Sequence, residues 1–318
     1  MNRTTSPLIG FDPLRGEIVR SPEQAEPGYW TGCPGVLHDG ERFWLTYRQR
    51  RPRGTALERG WRCAVAVSAD GLEFDDVWEV RKDQLGTSSM ERFALNSGPD
   101  GYRLYLSYVD PVDSRWRIDL LSAPDPAQFD LAARRPVLTA ESTGTEGVKD
   151  PYVLTLGPVT YLYASFAAAR PGLDRGAHAT ADIYNVGATT HPTGLATSLD
   201  GEDFSWHGEV LPVGTGWDRY QTRLNSIVAV GGGFVGFYDG SASHRENYEE
   251  RCGLAVSGDL FTWRRLSGER PWAVSPLASG SVRYVDAHII DGQWWIYYEM
   301  TREDQSHELR LLRLPAGC

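Results

Sequence analysis

One pattern of four short apolar segments recurs along the 318-residue chain. In its first copy the segments are 32–37, 43–47, 63–67 and 74–80, which we call strands A to D. Tight turns at Asp39-Gly40 and Asp70-Gly71 join A to B and C to D. Short runs rich in aromatic and β-branched residues between glycine turns are typical of β-strands. Because a fixed internal repeat dictates the whole architecture, this pattern constrains the fold more than any other feature.

Four further copies follow the first. They are 91–95, 104–108, 117–121 and 129–132; then 148–153, 161–165, 194–197 and 204–206; then 220–230, 234–238, 252–256 and 261–263; and last 282–290, 294–298 and 309–314. The fifth copy lacks strand D, which an N-terminal strand at 7–12 or 16–20 could supply. The sequence therefore predicts an all-β, five-bladed β-propeller, its ring closed by an N-terminal strand that completes the last blade.

The predicted domain is single and spans 1–318. Its blades are expected at 30–82, 90–139, 147–213, 219–271 and 281–314, with the N-terminal strand within 7–20. The C–D turns carry Asp70, Asp200 and Asp259, which are candidates for chemistry. In such turns an Asp accepts backbone N–H groups, so we interpret these three as structural.

Composition limits the partners of this chain. A formal net charge of −10 argues against a general nucleic-acid binder, despite the basic run 48–53. Lys82 and Lys149 are the only lysines, a bias typical of a GC-rich, actinobacterial-like genome. We expect a small-molecule or sugar ligand, no nucleic acid and no membrane partner, and the sequence leaves the oligomeric state open.

No secretory signal is visible in residues 1–16, and no stretch reaches the about 18 apolar residues of a membrane span. Cys33, Cys63, Cys252 and Cys318 lack metal-type spacing, and in a chain of this length they need not form disulfides. We therefore expect a cytoplasmic protein.

Loop lengths give the predicted propeller a direction. A–B and C–D connections are short, whereas the B–C loops 48–62, 167–193, 239–251 and 301–308 are long. Long loops on one face favour a site there, where strand A of each blade begins and strand B ends. The A-strand candidates are Cys33, Glu91, Arg92, Lys149, Asp150, Gln221, Arg223, Arg283, Asp286 and His288, and the B-strand candidates are Arg48, Asp110, Asp239 and Glu299.

So many ionisable groups near converging inner strands indicate a functional channel, because buried charges are costly unless they are paired. The alternative is that they fill the channel by pairing among themselves, for example Glu91 with Arg92 or Asp286 with Arg283. Aromatic residues predicted near the mouth, where they could stack on sugar rings, are Trp30, Tyr184, Trp217 and Tyr284.

The blade count, Lys149-Asp150-Pro151 at the start of blade three, and the Ser-x-Asp-Gly turns resemble the five-bladed propeller glycosidases. These include family 43 arabinanases and β-xylosidases, the invertase-type enzymes and the mannoside phosphorylases. The resemblance implies a base Asp in blade one, a pKa-tuning Asp in blade three, an acid Glu in blade four, and a blade-five His near a central calcium. Asp150 and His288 match, but Cys33 stands at the base position and Gln221-Thr222-Arg223 offers no Glu.

We accordingly expect a carbohydrate-active, hydrolase-like enzyme that acts on a small glycoside or oligosaccharide by carboxylate acid/base chemistry. Asp150 is the predicted base or orienting carboxylate, and Glu91 or Asp286 the predicted acid. The predicted substrate-binding residues are Arg48, Arg92, Lys149, Arg223, Asp239, His288, Glu299, Trp30 and Cys33. No cofactor is required, although a structural calcium in the channel, with His288 as a ligand, stays open.

Three further alternatives concern single residues and the class of protein. Cys33 is a small buried residue, or a thiolate nucleophile beside Lys149 or Arg92. His191 and Asp182 could supply an acid from the long third-blade loop. Because two family carboxylates are missing, the rival function is a repurposed propeller: a non-hydrolytic enzyme of specialised metabolism or a binding protein.

Overall fold

The computed structural model describes residues 7–316 and is built almost wholly of β-strands. The single α-helix of the described residues is α1 (Ala140–Thr143). Short 3-10 helices occupy Pro7–Gly10, Pro13–Arg15, Pro126–Gln128, Leu131–Ala133, Arg175–His178, Ile183–Asn185 and His244–Glu246. Cys318 lies outside the described residues. No helix of residues 7–316 is long and apolar enough to cross a membrane.

The strands fall into five consecutive groups, preceded by one N-terminal strand. They are β1 (Glu17–Arg20); β2 (Trp30–His38), β3 (Phe43–Arg51), β4 (Arg59–Ser68) and β5 (Asp75–Arg81); β6 (Ala94–Gly98), β7 (Gly101–Val109), β8 (Trp116–Ala123) and β9 (Arg135–Leu138); β10 (Gly147–Leu156), β11 (Val159–Ala167), β12 (Thr193–Ser198) and β13 (Ser205–Leu211); β14 (Gln221–Val230), β15 (Gly233–Ser241), β16 (Arg251–Ser257) and β17 (Arg264–Arg265); and β18 (Val282–Ile290), β19 (Gln293–Thr301) and β20 (His307–Pro315).

Within each group, successive strands pair antiparallel. The fifth group has three strands of its own, and β1 pairs antiparallel with its last strand, β20. Of the two N-terminal segments predicted to complete this group, 16–20 is therefore the one that pairs. Residues 7–10 instead form a 3-10 helix.

The first strands of the five groups lie side by side. β2 contacts β6, β6 contacts β10, β10 contacts β14, β14 contacts β18, and β18 contacts β2. The apolar cores follow the same order, since each lies between two neighbouring groups. The core around Phe43, Leu45, Tyr297 and Leu309 joins the fifth group back to the first and includes Val19 of β1.

Two predicted D strands are wrong in position. Residues 129–132 overlap the 3-10 helix Leu131–Ala133, and the fourth strand of that group comes later, at β9. In the fourth group 261–263 is turn and β17 follows it. In both places an Asp side chain caps the turn: Asp130 accepts the N–H of Ala132, and Asp259 accepts the N–H groups of Phe261 and Thr262. Because this capping extends the turn, each strand begins later in the sequence than predicted.

The three Ser-x-Asp turns are structural, as predicted. Asp70 accepts the N–H groups of Leu72 and Glu73, and Asp200 does the same for Glu202 and Asp203. Backbone hydrogen bonds lower the pKa of Asp200 to about 2, so the carboxylate stays charged and keeps its turn closed.

Candidate active site

Three of the five first strands bend at the same point. Cys33, Asp150 and Tyr284 have φ values of 56°, 57° and 51°, a left-handed conformation that is rare for residues other than glycine. Each is the first residue of a β-bulge, where the pairing with the second strand shifts register. Cys33 and Asp150 are therefore structurally equivalent, as their alignment predicted, and Tyr284 is the equivalent residue of the fifth group.

Charged residues of the first and second strands face each other just before a register shift on β14 and on β18. Arg223 of β14 pairs in register with Asp239 of β15, and their side chains are 2.6 Å apart. Arg283 of β18 pairs with Glu299 of β19 and also reaches its carboxylate at 2.6 Å. The antiparallel register thus places a guanidinium directly opposite a carboxylate in two groups.

Asp150 lies at the centre of this cluster. Its Oδ2 accepts a hydrogen bond from Arg223 at 3.0 Å and lies 3.5 Å from Lys149 Nζ, while its Oδ1 accepts from the Arg92 backbone N–H at 3.2 Å. Burial opposes ionisation, but Lys149 and Arg223 outweigh it and lower the pKa of Asp150. Asp150 is therefore a carboxylate at neutral pH.

Asp239 differs from Asp150 although both bind Arg223. Its Oδ2 accepts from Arg223 at 2.6 Å, and the Tyr284 backbone N–H donates to both of its oxygens. Here burial dominates and raises the pKa of Asp239 to about 6, despite the nearby guanidinium. Two carboxyl groups on one guanidinium thus have pKa values moved in opposite directions.

Glu91 joins the same cluster from the second group. It forms an ion pair with Arg48, and its Oε1 lies 3.6 Å from Arg50. The Tyr284 hydroxyl lies 3.5 Å from Glu91 and 3.3 Å from Asp150, so one phenol connects the two predicted catalytic carboxylates. The structure therefore brings Glu91 and Asp150 together.

Besides Arg50, sequence reasoning missed Glu250 and His307 in the cluster. Glu250, directly before β16, accepts from Arg283 at 2.8 Å and lies 3.6 Å from Arg223. Although burial opposes ionisation, these two guanidinium groups lower its pKa to about 2. His307, at the start of β20, bonds Glu299 through Nδ1 at 2.7 Å. Both lie where a third strand begins, whereas the predicted candidates lie on first and second strands.

Asp286 and His288 lie farther along β18, away from this cluster. Asp286 Oδ2 accepts from Arg92 at 2.9 Å and from the Val36 backbone N–H at 2.8 Å. His288 Nε2 is 3.2 Å from Asp286 Oδ1. The predicted acid Asp286 is thus bound to Arg92, and its contacts do not include Asp150 or Glu91.

The charged residues pair with one another, as the alternative prediction stated, but the partners differ from those it named. Glu91 pairs with Arg48 rather than Arg92, and Asp286 pairs with Arg92 rather than Arg283. On β18 the bulge at Tyr284 separates Arg283 from Asp286, whereas Glu91 and Arg92 are adjacent residues that both precede β6. Asp110 stays outside the cluster and pairs with Arg117 near the surface, at 2.5 Å.

The central cavity opens at the short-turn end, not at the long-loop end where loop lengths placed the site. It has a volume of about 660 Å³ and is bounded by the second halves of β2, β6, β10, β14 and β18. Its lining combines aliphatic side chains such as Val36 and Ile227 with polar ones such as Asn96 and His288. At the long-loop end, Arg48, Glu91, Asp150, Arg223 and Glu299 are each at most 1% exposed.

The calcium that the resemblance implies does not fit the residues around His288. Calcium takes several oxygen ligands, whereas here one carboxylate and one imidazole face each other and the Arg92 guanidinium already binds that carboxylate. Within residues 7–316 no group of three or more His, Cys, Asp or Glu side chains is arranged to hold a metal ion.

Burial raises the pKa of the Cys33 thiol, whose Sγ lies 3.9 Å from Glu91. This environment keeps the thiol protonated and contradicts a thiolate nucleophile. Cys63 and Cys252 are also free and buried. None of the three forms a disulfide.

The loop residues His191 and Asp182 have structural partners. His191 stacks on Tyr184, with ring centroids 4.0 Å apart, and burial lowers its pKa well below the ordinary range. Asp182 pairs with Arg53 at 2.9 Å and accepts the Tyr248 hydroxyl. Neither contacts the carboxylates of the cluster.

The predicted aromatic residues other than Tyr184, which stacks on His191, divide into two sets. Trp30 stacks on His307, and Tyr284 lies within the charged cluster. Trp217 instead stacks on Tyr238 and donates to the Ser267 carbonyl, so its prediction as a mouth residue is wrong.

No family model matches the chain, and no curated protein is similar to it in sequence. Solved structures do match. A glycoside hydrolase superposes with a TM-score of 0.66 at 14% identity, over 93% of this chain and 90% of the other. The chain therefore has the fold of a glycoside hydrolase.

Two other matches are named as family 43 enzymes. A thermostable family 43 glycoside hydrolase gives a TM-score of 0.64 at 14% identity, over 90% of this chain and 91% of its own. A family 43 enzyme from Xanthomonas citri gives 0.62 at 12% identity, over 93% and 90%. The family 43 fold therefore extends over nearly the whole chain.

Proposed function

We propose that the five strand groups are the blades of a five-bladed propeller closed by β1. We further propose that the chain is a carbohydrate-active enzyme that acts on a small glycoside at the central channel. The side-by-side first strands and the core shared by the first and fifth groups support the ring. The family 43 fold supports the class of enzyme.

The observation that carries the chemistry is the opposite behaviour of Asp150 and Asp239. Glycoside hydrolysis needs one carboxyl group that donates a proton and one carboxylate that activates water or attacks. Environments that move two pKa values apart assign such roles. Asp150 has a lowered pKa and suits the base, whereas Asp239, with a pKa of about 6, suits the acid.

This assignment keeps Asp150 in its predicted role and moves the acid from Glu91 or Asp286 to Asp239. In the proposed step, protonated Asp239 gives its proton to the glycosidic oxygen as the bond to the anomeric carbon breaks. Asp150 accepts a proton from the attacking water. Arg223 binds both groups in the free protein, so a sugar must replace its hydrogen bond to Asp239 before the proton can move.

A panel of aryl glycosides tests this proposal. The wild-type chain is expected to release the aryl group from at least one of them. Asp150→Asn is expected to lose at least about 100-fold in kcat/KM, in the range of a positioned acid or base. Asp203→Asn is the matched control, because Asp203 is 88% exposed and its one ion pair among the described residues is with Arg135 on the surface. No turnover by the wild type, or an unchanged rate in Asp150→Asn, would overturn the hydrolytic function.

A second candidate, a non-hydrolytic enzyme or a sugar-binding protein, is supported by Cys33. This residue occupies the bulge position equivalent to Asp150, where the family resemblance implies the base. A thermal-shift screen of sugars separates the two functions. A ligand that stabilises the chain and is recovered chemically unchanged after incubation favours this second candidate.

A further inference from the structure

Lys149 is enclosed by aromatic rings at the long-loop end of the channel. Its Nζ lies 4.3 Å from the ring centre of Tyr184, 5.1 Å from that of Trp116 and 5.9 Å from that of Tyr248. The Lys149 side chain is 1% exposed, and the three rings are buried. We call Lys149 with these three rings the aromatic chamber.

Arg50 borders the chamber on the side of Tyr248. Its guanidinium carbon lies 3.9 Å from the Tyr248 ring centre and 4.8 Å from that of Trp30. Two cations therefore lie against the same tyrosine ring, and each is attracted by aromatic faces.

Several polar atoms of this region are buried and have no hydrogen-bond partner within residues 7–316. They include Lys149 Nζ, Trp116 Nε1, one terminal nitrogen of Arg50, and Glu91 Oε1. The last two lie 3.6 Å apart, which is an ion pair but too long for a hydrogen bond. The ammonium lies 3.5 Å from Asp150 Oδ2. A buried donor without a partner costs about 1–3 kcal/mol, and more if it is charged. Such groups therefore indicate that polar ligand atoms or water belong in the chamber.

The unpartnered groups are mainly donors, two of them on cations. A ligand that satisfies them must offer acceptor oxygens, and a carboxylate does so with the strongest, charge-assisted hydrogen bonds. The aromatic walls suit the C–H faces of a sugar ring. We propose that the chamber binds the carboxylate of a sugar acid, with Lys149 and Arg50 as its cationic contacts. This inference rests on the proposed function and specifies the substrate class of that site.

Two loops cover the chamber, and they must separate before a ligand can enter it. Tyr248 lies in the loop between β15 and β16, and its hydroxyl donates to Asp182 in the loop between β11 and β12. Asn247 Nδ2 donates to Asn185 Oδ1 at 2.8 Å across the same two loops. Separation of these loops would uncover Lys149.

Isothermal titration calorimetry of the full chain with D-glucuronate and D-galacturonate, compared with D-glucose and D-galactose, tests the inference. The Kd of the wild type for at least one acid is expected to be about tenfold lower, or lower still, than its Kd for the corresponding neutral sugar. One hydrogen bond to a charged group accounts for a difference of this size. Equal affinity for acid and neutral sugar, or no binding of either acid, would overturn the proposal. This comparison needs no variant.

Lys149→Met keeps the length of the side chain but removes its charge. It is expected to abolish the preference for the acid. Lys82→Met is the matched control because Lys82, the one other lysine, donates to backbone carbonyls near the surface. An acid preference that survives in Lys149→Met would contradict the role of Lys149.

The two proposals fail separately. Turnover of neutral aryl glycosides with no acid preference refutes the sugar-acid inference and leaves the hydrolytic function standing. Selective binding of a sugar acid that is recovered intact, with no aryl glycoside cleaved, supports the chamber and refutes hydrolysis.

Discussion

Asp150 and Asp239 accept hydrogen bonds from different nitrogens of a single guanidinium, that of Arg223, at 3.0 Å and 2.6 Å. A shared cation alone would lower both pKa values. That of Asp150 falls because Lys149 adds a second positive charge. That of Asp239 rises to about 6 because burial outweighs Arg223 and Glu250 adds a negative charge. The neighbours of each carboxyl group, rather than Arg223, thus set their difference.

The raised pKa of Asp239 predicts a specific dependence of stability on pH. Between the ordinary Asp value of 3.8 and about 6, the folded chain binds a proton at Asp239 that the unfolded chain has released. The contribution of Asp239 to the free energy of unfolding must therefore decrease as pH rises through this window and level off above it. Asp239→Asn should lack this decrease.

Urea denaturation of both chains from pH 4 to pH 8 measures the effect. The difference in unfolding free energy, wild type minus Asp239→Asn, should become less favourable to the wild type up to about pH 6 and then stay constant. A difference that is independent of pH would show that Asp239 titrates normally.

Asp182 holds three loops together. It accepts the Tyr248 hydroxyl, pairs with Arg53, and lies 3.6 Å from Arg59, whose side chain is 2% exposed. Asp182→Ala leaves the buried Arg59 without its carboxylate and should cost about 3–5 kcal/mol of unfolding free energy.

The exposed pair of Asp203 and Arg135 provides the comparison for this variant. Asp203→Ala should change the unfolding free energy by less than about 1 kcal/mol, as surface ion pairs do. If urea denaturation gives equal losses of unfolding free energy for the two substitutions, Asp182 does not stabilise the contacts between these loops.

The thiols predict a simple labelling result. Cys33, Cys63 and Cys252 are buried, and burial raises the pKa of each. In a Cys318→Ser chain, Ellman's reagent should therefore label none of them at pH 7.5 while the protein is folded, and all of them in guanidinium chloride. Rapid labelling of Cys33 in the folded chain would restore it as a candidate nucleophile.

The N-terminal strand offers a test of its docking against β20. Val19 is 6% exposed and packs in the core with Leu309, whereas its neighbour Ile18 is 50% exposed. Val19→Ala should lower the unfolding free energy by about 2 kcal/mol, through lost methyl burial and a small cavity. Ile18→Ala should cost much less, and similar costs for both would mean that β1 does not pack as described.

The strand pattern could be predicted from the sequence because turns and apolar runs are local signals. The first strand of the fifth group, 282–290, was predicted with its observed ends. The D strands were harder, because Asp130 and Asp259 extend the turns before them and outer strands carry a weaker apolar pattern.

The candidate site was only partly predictable. Asp150, Glu91 and Arg223 lie near strand starts, so strand position alone selected them. The partner of each charge depends on the bulges at Cys33, Asp150 and Tyr284. The residue types at these positions do not predict a positive φ, so the bulges could not be located from the sequence. Glu250 and His307 enter from third strands, so only the three-dimensional pairing reveals them.

The pH dependence of kcat/KM on the most reactive aryl glycoside tests the assignment of Asp150 and Asp239 most directly. If protonated Asp239 is the acid, kcat/KM of the wild type should fall tenfold per pH unit above about pH 6, and Asp239→Asn should lose that limb together with most of its activity. A wild-type rate that stays constant from pH 5 to pH 8, or an Asp239→Asn chain that keeps the wild-type rate and profile, would contradict the account.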